Sequence, residues 1–132
     1  MTRAEIEEGV RACVAAALDR PAQSVTLEAR LIDDLGGDSL DLLDITFQLE
    51  QRFKISLNVR TFERRAKEAL GGTPLEIDGV YTPEALVELR RALPEIPPEE
   101  LAEGLEVATL VRRFRVATLV NLVTRVLEEH NG

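Results

Sequence analysis

The chain holds one cysteine, one histidine and no apolar run long enough to cross a bilayer, and each scarcity removes a class of function. A lone cysteine, Cys13, can form neither an intramolecular disulfide nor a thiolate-rich metal site. It falls on the apolar face of an expected helix, where a free thiol behaves as a small core residue. His130 stands among the last three residues, where a fraying end holds no imidazole rigidly, so Ser-His-Asp or Cys-His nucleophilic catalysis is not expected. Basic residues are in deficit as well, 16 against 24 acidic ones, giving a net charge of −8. That balance disfavours nucleic acid and favours partners with basic docking surfaces. The opening MTRAEIEEGV has acids where a secretory signal has its apolar stretch. A monomeric cytoplasmic protein that does not span a membrane is the expectation.

What is present reads as helices. Ile6, Val10, Cys13, Val14, Ala17 and Leu18 recur at helical spacing over residues 3–19, with Thr2 as cap and Pro21 as stop. A polar loop follows to Asp38, pinned by Val25, Leu27, Leu31, Ile32 and Leu35. A second helix is expected over 39–53, an extended exit over 54–57, and a third helix over 59–70 that Gly71-Gly72 ends. LEI-DG-VYT then carries the Asp-Gly signal of a tight β-hairpin. Thr82-Pro83-Glu84 opens a helix that carries Leu86, Leu89 and Leu93 and stops before Pro94. Pro97-Pro98-Glu99-Glu100 begins one further turn, and a last helix runs over 117–129. VATLVRRF (107–114) and VATLVNLV (116–123) share a helical pattern rather than marking a repeat.

The chemically informative stretch is DDLGGDSLDLLDITFQLEQRFKI, residues 33–55. Gly36-Gly37 lets the chain turn sharply before a helix and brings Ser39 to the surface. Asp38 or Ser39 can cap the free N–H groups there, and an anion on Ser39 would sit at the positive end of the helix dipole. Leu40 is an apolar neighbour that a partner could cover, and Asp41, Asp44 and Glu50 offer an acidic face. Taken alone, these features also describe an ordinary capped helix with a solvated surface. The crowd of acids does not make a calcium loop. Leu35, Gly36 and Gly37 interrupt the alternating oxygen ligands such a loop needs, and no metal is expected. Arg60, Arg64, Arg65 and Lys67, interleaved with Glu63 and Glu68, read as a solvated helix face, and Arg112, Arg113 and Arg115 form a second basic cluster.

Leu35-Gly36-Gly37-Asp38-Ser39-Leu40-Asp41, followed by Leu43, Asp44, Phe47, Leu49, Glu50 and Phe53, resembles the prosthetic-group site of the acyl carrier protein family. The likeness covers about residues 3–57 and, more loosely, FRVATLVNLV in the last helix. It implies an all-α, acyl-carrier-like four-helix bundle, with an inserted helical segment at about 65–107 that includes the short hairpin. Residues 1–132 then make a single carrier domain. It also implies a carrier that is not an enzyme, loaded with 4′-phosphopantetheine from coenzyme A at Ser39. Asp38 and Leu40 would guide the phosphopantetheinyl transferase. Asp41, Asp44 and Glu50 would dock the enzymes that load and transfer acyl groups. Leu43 and Phe47 would line the space between helices where an acyl chain shelters.

Two features depart from the family pattern. Gln51 and Arg52 break the acidic run of the second helix, and the insertion adds length before the last one. The Leu-Asp-Ile-x-Phe pattern is similar to that of specialised carriers that handle very long acyl chains for lipid A. Fatty acid synthesis or a specialised lipid pathway is the expected setting. A stand-alone peptidyl carrier, suggested by Gly36-Gly37, and an unmodified carrier-like scaffold are the alternatives.

Overall fold

Thr2 starts the first helix by a reciprocal cap: its Oγ1 accepts the Glu5 N–H at 3.2 Å while Glu5 Oε1 accepts the Thr2 N–H at 3.0 Å. The resulting α1, Arg3–Leu18, ends where Asp19 turns left-handed at φ 53°, two residues before Pro21. In this computed structural model, residues 1–57, 64 and 66–131 are described. Among them the chain is mostly helical, with one two-stranded ribbon, as a carrier-like bundle requires. No described helix is long and apolar enough to cross a membrane. The chain divides into two compact units, Met1–Leu57 with Phe114–Gly132, and Asn58–Arg113.

In the first unit, α1 packs against both α2 (Ser39–Phe53) and the last helix, Val116–Asn131. One core joins Ile6, Val10, Cys13 and Val14 of α1 to Ile45, Leu49 and Phe53 of α2 and to Val116, Val120 and Val123 of the last helix. Burying one such aliphatic side chain contributes about 1.5–3 kcal/mol, so this shared face is the main stabilising term. Gly9 lets α2 come close, since a methyl group there would stand 2.6 Å from Cζ of Phe53. The long loop between α1 and α2 is tied down at several points. Arg11 donates from Nε to the Val25 carbonyl at 2.7 Å and from its Nη2 to that of Ala22 at 2.9 Å. Further along, Leu31 N–H donates to the Phe114 carbonyl, and Val116 and Ala117 donate to those of Ala29 and Leu27. Backbone groups left unpaired in a buried loop would be costly, and these bonds satisfy them.

The second unit holds the expected hairpin. Strands β1 (Glu76–Ile77) and β2 (Val80–Tyr81) pair antiparallel around Asp78-Gly79, both at positive φ as the tight turn requires. Tyr81 N–H donates to Leu105 O and Val107 N–H to Gly79 O, so residues 105–107 run along the other side of β2. Thr82 joins hairpin to helix: its hydroxyl donates to the Pro74 carbonyl at 2.8 Å and accepts the Ala85 N–H at 3.2 Å. It caps α3 (Pro83–Ala92), whose Leu86 and Leu89 are buried, as are Tyr81, Leu93, Ile96, Leu101 and Leu105 of the same unit. Pro98–Glu100 forms one 3₁₀ turn, and Val107–Arg113 is 3₁₀ rather than α-helical. The last helix of the chain, Val116–Asn131, is α4. Of the expected helix over 59–70, Arg64 and residues 66–69 are helical. Residues 59–63 and 65, with Arg60 and Arg65 of the basic cluster, lie outside the described residues, as does the side chain of His130.

Candidate functional site

The site is built from a turn and a helix start. Gly36 adopts φ 75°, a conformation that side-chain-bearing residues resist, and its N–H donates to the Ile32 carbonyl. Gly37 serves differently. Its N–H donates to the Leu31 carbonyl at 2.9 Å, and a methyl group on it would stand 2.9 Å from that same oxygen. Two adjacent glycines thus perform two tasks, one of conformation and one of close approach.

Asp38, rather than Ser39, is the cap of α2. Its Oδ1 accepts the Asp41 N–H at 2.9 Å, while Asp41 Oδ2 accepts the Asp38 N–H at 3.0 Å. Ser39 is therefore the first residue of the helix proper, exposed, with a hydroxyl that has no partner among the described residues. The backbone N–H groups of Ser39 and Leu40 make no hydrogen bond among the described residues either. Two unengaged donors therefore stand in the first turn of a 15-residue helix, at its positive end and beside Ser39 in the chain. That environment fits a phosphodiester on the serine, because unsatisfied helix N–H groups and the dipole both favour an anion.

The remaining expected residues separate. Leu40 is 74% exposed, immediately beside Ser39. Asp44 is exposed and accepts from Gln48 Nε2 at 3.3 Å. Glu50 does not stand on an open acidic face. It is half-buried, and its Oε2 accepts the Leu57 N–H at 3.0 Å, holding the chain as it leaves α2. Leu43 and Phe47 require a correction, for they do not line the space between helices. They are 67% and 60% exposed, and the inward stripe of α2 is instead Leu42, Ile45, Leu49 and Phe53. The reason is helical phase: residues 42, 45, 49 and 53 follow at three- and four-residue steps, which leaves 40, 43 and 47 on a different stripe. Sequence reasoning missed Arg11 and its grip on the loop, and the separate role of Gly37. Arg11 borders the apolar face of α1 beside Glu7 and Glu8, and nothing in that pattern distinguishes it from a solvated helix residue. Among the described residues no group of His, Cys, Asp and Glu could hold a metal ion.

Comparison with known proteins bears on this geometry. The family model for a phosphopantetheine attachment site matches residues 8–66, which contain most of α1, the glycine turn and all of α2. The acyl carrier protein of Thermotoga maritima is 38% identical over 63 residues, covering 48% of this chain and 78% of that protein. The chain belongs to the acyl carrier protein family. Acyl carrier proteins of Campylobacter jejuni subsp. doylei and of Onion yellows phytoplasma are 38% and 36% identical over 50 and 56 residues. Those two matches cover 65% and 74% of the relatives and 38% and 42% of this chain. As a member of this family, the protein is a carrier with a covalently attached 4′-phosphopantetheine group, and it is not an enzyme.

Proposed function

We propose that Ser39 is the attachment point of the 4′-phosphopantetheine arm and that the protein carries acyl groups to partner enzymes of fatty acid or specialised lipid synthesis. The observation that carries this is the state of Ser39: an exposed, unengaged hydroxyl at the first position of α2, beside two unengaged backbone N–H groups. A phosphopantetheinyl transferase would join the Ser39 oxygen to a phosphorus of coenzyme A and release the nucleotide half. The arm supplies a terminal thiol that holds an acyl group as a thioester. The chain's own residues orient it. Asp38 and Asp41 fix the helix start, Gly36 and Gly37 present it, and the unengaged N–H groups of Ser39 and Leu40 would be available to hold the phosphate.

We place this activity in the cytoplasm and read the unit Asn58–Arg113 as an insertion into one carrier domain that serves specialised partners or shelters the chain. Phosphopantetheinyl transferase and acyl-loading and acyl-transferring enzymes are the partners this reading calls for. The test is intact mass after incubation with coenzyme A and a broad-specificity phosphopantetheinyl transferase. The wild type gains one arm and Ser39→Ala gains none; an unmodified wild type leaves only a scaffold role. Loading by an acyl-carrier synthetase, and not by an amino-acid adenylating enzyme, separates acyl from aminoacyl cargo.

A further inference from the structure

Leu31 is bonded in two directions. Its N–H donates to the Phe114 carbonyl at 3.1 Å, and its own carbonyl accepts the Gly37 N–H at 2.9 Å, two residues before Ser39. At 1% exposure Leu31 has no water to turn to, so a partner lost on either side leaves a buried polar group unpaired.

Phe114 is held in turn by the start of α4. The loop around residues 27–31 runs antiparallel to residues 114–117, with a bridge between Arg30 and Arg115. Val116 and Ala117, the first two residues of α4, donate to the carbonyls of Ala29 at 3.0 Å and Leu27 at 2.9 Å. A helix start leaves such donors without an intrahelical partner, and here the loop supplies one. Thr118 Oγ1 accepts the Arg115 N–H at 3.0 Å and fixes the turn into the helix. Val116, Val120 and Val123 are fully buried and anchor α4 in the core.

We infer that the Phe114–Leu31 hydrogen bond positions Ser39 for arm transfer: the anchored start of α4 holds Leu31, Leu31 holds Gly37, and Gly37 sets where α2 begins. This rests on the carrier reading of Ser39. Leu31 and Phe114 are positioning residues that act through Gly37. Phe114 is also the first residue after the unit Asn58–Arg113, so the chain returns from that unit directly onto the bonded path to Ser39. A reacting group misplaced by about 1 Å can lose about a hundredfold in rate, so a slackened turn registers in transfer before it registers in folding.

The experiment weakens this bond from each side by exchanging one amide for an ester in the full chain. The α-hydroxy analogue of leucine at position 31 removes the Leu31 N–H. The α-hydroxy analogue of arginine at position 115 makes the Phe114 carbonyl an ester carbonyl, a weaker acceptor. The same exchange at Ala29, whose N–H donates to the Thr26 carbonyl at 3.2 Å, is the control. Arm transfer from coenzyme A by a broad-specificity phosphopantetheinyl transferase is read by intact mass, and hydrogen exchange of the Gly37 amide by NMR. Each ester at 31 or 115 is expected to lower kcat/KM about fivefold and to speed Gly37 exchange about tenfold. The Val10 and Val14 amides of α1 keep their wild-type exchange rates. Both esters together cost no more than the larger single loss, because they act on one bond. The control stays within about twofold of wild type in both readouts. Wild-type loading by both esters overturns the proposal, as does slowed loading with unchanged Gly37 exchange. A control loss as large as theirs, or a double loss equal to the product of the single ones, overturns it too. A wild type that takes no arm fails the carrier reading instead, and Gly37 exchange still decides whether the bond holds the turn.

Discussion

Asp38 and Asp41 each accept the other's backbone N–H, at 2.9 and 3.0 Å, and Ser39 lies between them in the chain. Ser39, the attachment point proposed above, is thus flanked by this clamp, while its hydroxyl and its N–H make no hydrogen bond among the described residues. Asp38→Ala removes one carboxylate of this pair and leaves the Asp41 N–H without its cap. The expected cost is about 1 kcal/mol, a melting temperature lower by about 4 °C. Asp38→Asn, which keeps an accepting oxygen, should lose less than half of that. Thermal melts followed by circular dichroism decide it; equal losses for the two variants would mean that the Asp38 charge, not its cap geometry, matters.

Gly36 and Gly37 should respond differently to the same substitutions. Gly36 needs its left-handed backbone, so alanine there costs about 1–2 kcal/mol and asparagine, which tolerates that region, costs less. Gly37 has ordinary φ but no room, with the Leu31 carbonyl 2.9 Å from a built methyl group. Neither alanine nor asparagine fits without moving the turn, so both variants should slow arm transfer to Ser39 as well as lower stability. Urea unfolding alongside the mass assay separates them. Rescue of Gly37 by asparagine would refute the close-approach account.

The helices were legible because their boundaries carry chemistry. Thr2, Asp38 and Thr82 are caps with acids or proline in the first turn, and the hairpin declared itself by Asp78-Gly79. What the pattern could not resolve was which face of α2 is buried. Leu40, Leu42, Leu43, Ile45, Phe47, Leu49 and Phe53 make that helix apolar on more than one side, so periodicity alone supports two phases. The packing of α1 against α2, with Leu42, Ile45 and Leu49 turned to the shared core, selects one, and that is a tertiary fact. Glu50 shows the same limit. Its charge was visible, but its partner is a backbone N–H seven residues on, placed only when the chain reverses after Lys54. The 3₁₀ form of Val107–Arg113 was equally hidden, since VATLV stands in an α-helix a few residues later.

Gly9 offers a test of helix packing against helix propensity. In an isolated helix, alanine is favoured over glycine by about 1 kcal/mol. Here the added methyl group would meet Cζ of Phe53 at 2.6 Å and Nε of Arg52 at 2.9 Å. Phe53 is itself buried, so the ring has little freedom to withdraw. Gly9→Ala is expected to destabilise by about 1–2 kcal/mol net, and Gly9→Val by more. Pairing Gly9→Ala with Phe53→Leu should recover part of the loss. Chemical unfolding of the three variants and wild type measures this, and a stabilised Gly9→Ala would show that α1 and α2 separate easily.

Cys13 gives the pH dependence. It is 4% exposed within the core between α1 and its neighbours, and burial pushes its thiol above the ordinary value, with the Arg52 charge drawing it back only in part. The sign follows from proton counting. Below the unfolded thiol's pKa both states hold the proton and the contribution to stability is constant. As pH rises past that value, the unfolded chain releases the proton while the folded one retains it, so stability falls until the folded thiol also ionises. Unfolding free energy should therefore decline between about pH 7 and about pH 10 more steeply for wild type than for Cys13→Ala. Two measurements check it: paired urea titrations across that range, and the rate of thiol labelling. Native Cys13 should label roughly a hundredfold or more slowly than the unfolded chain, because reaction waits on opening of the core. Rapid stoichiometric labelling of the folded protein, or parallel pH slopes for the two proteins, would place Cys13 in contact with water and remove the basis for the shift.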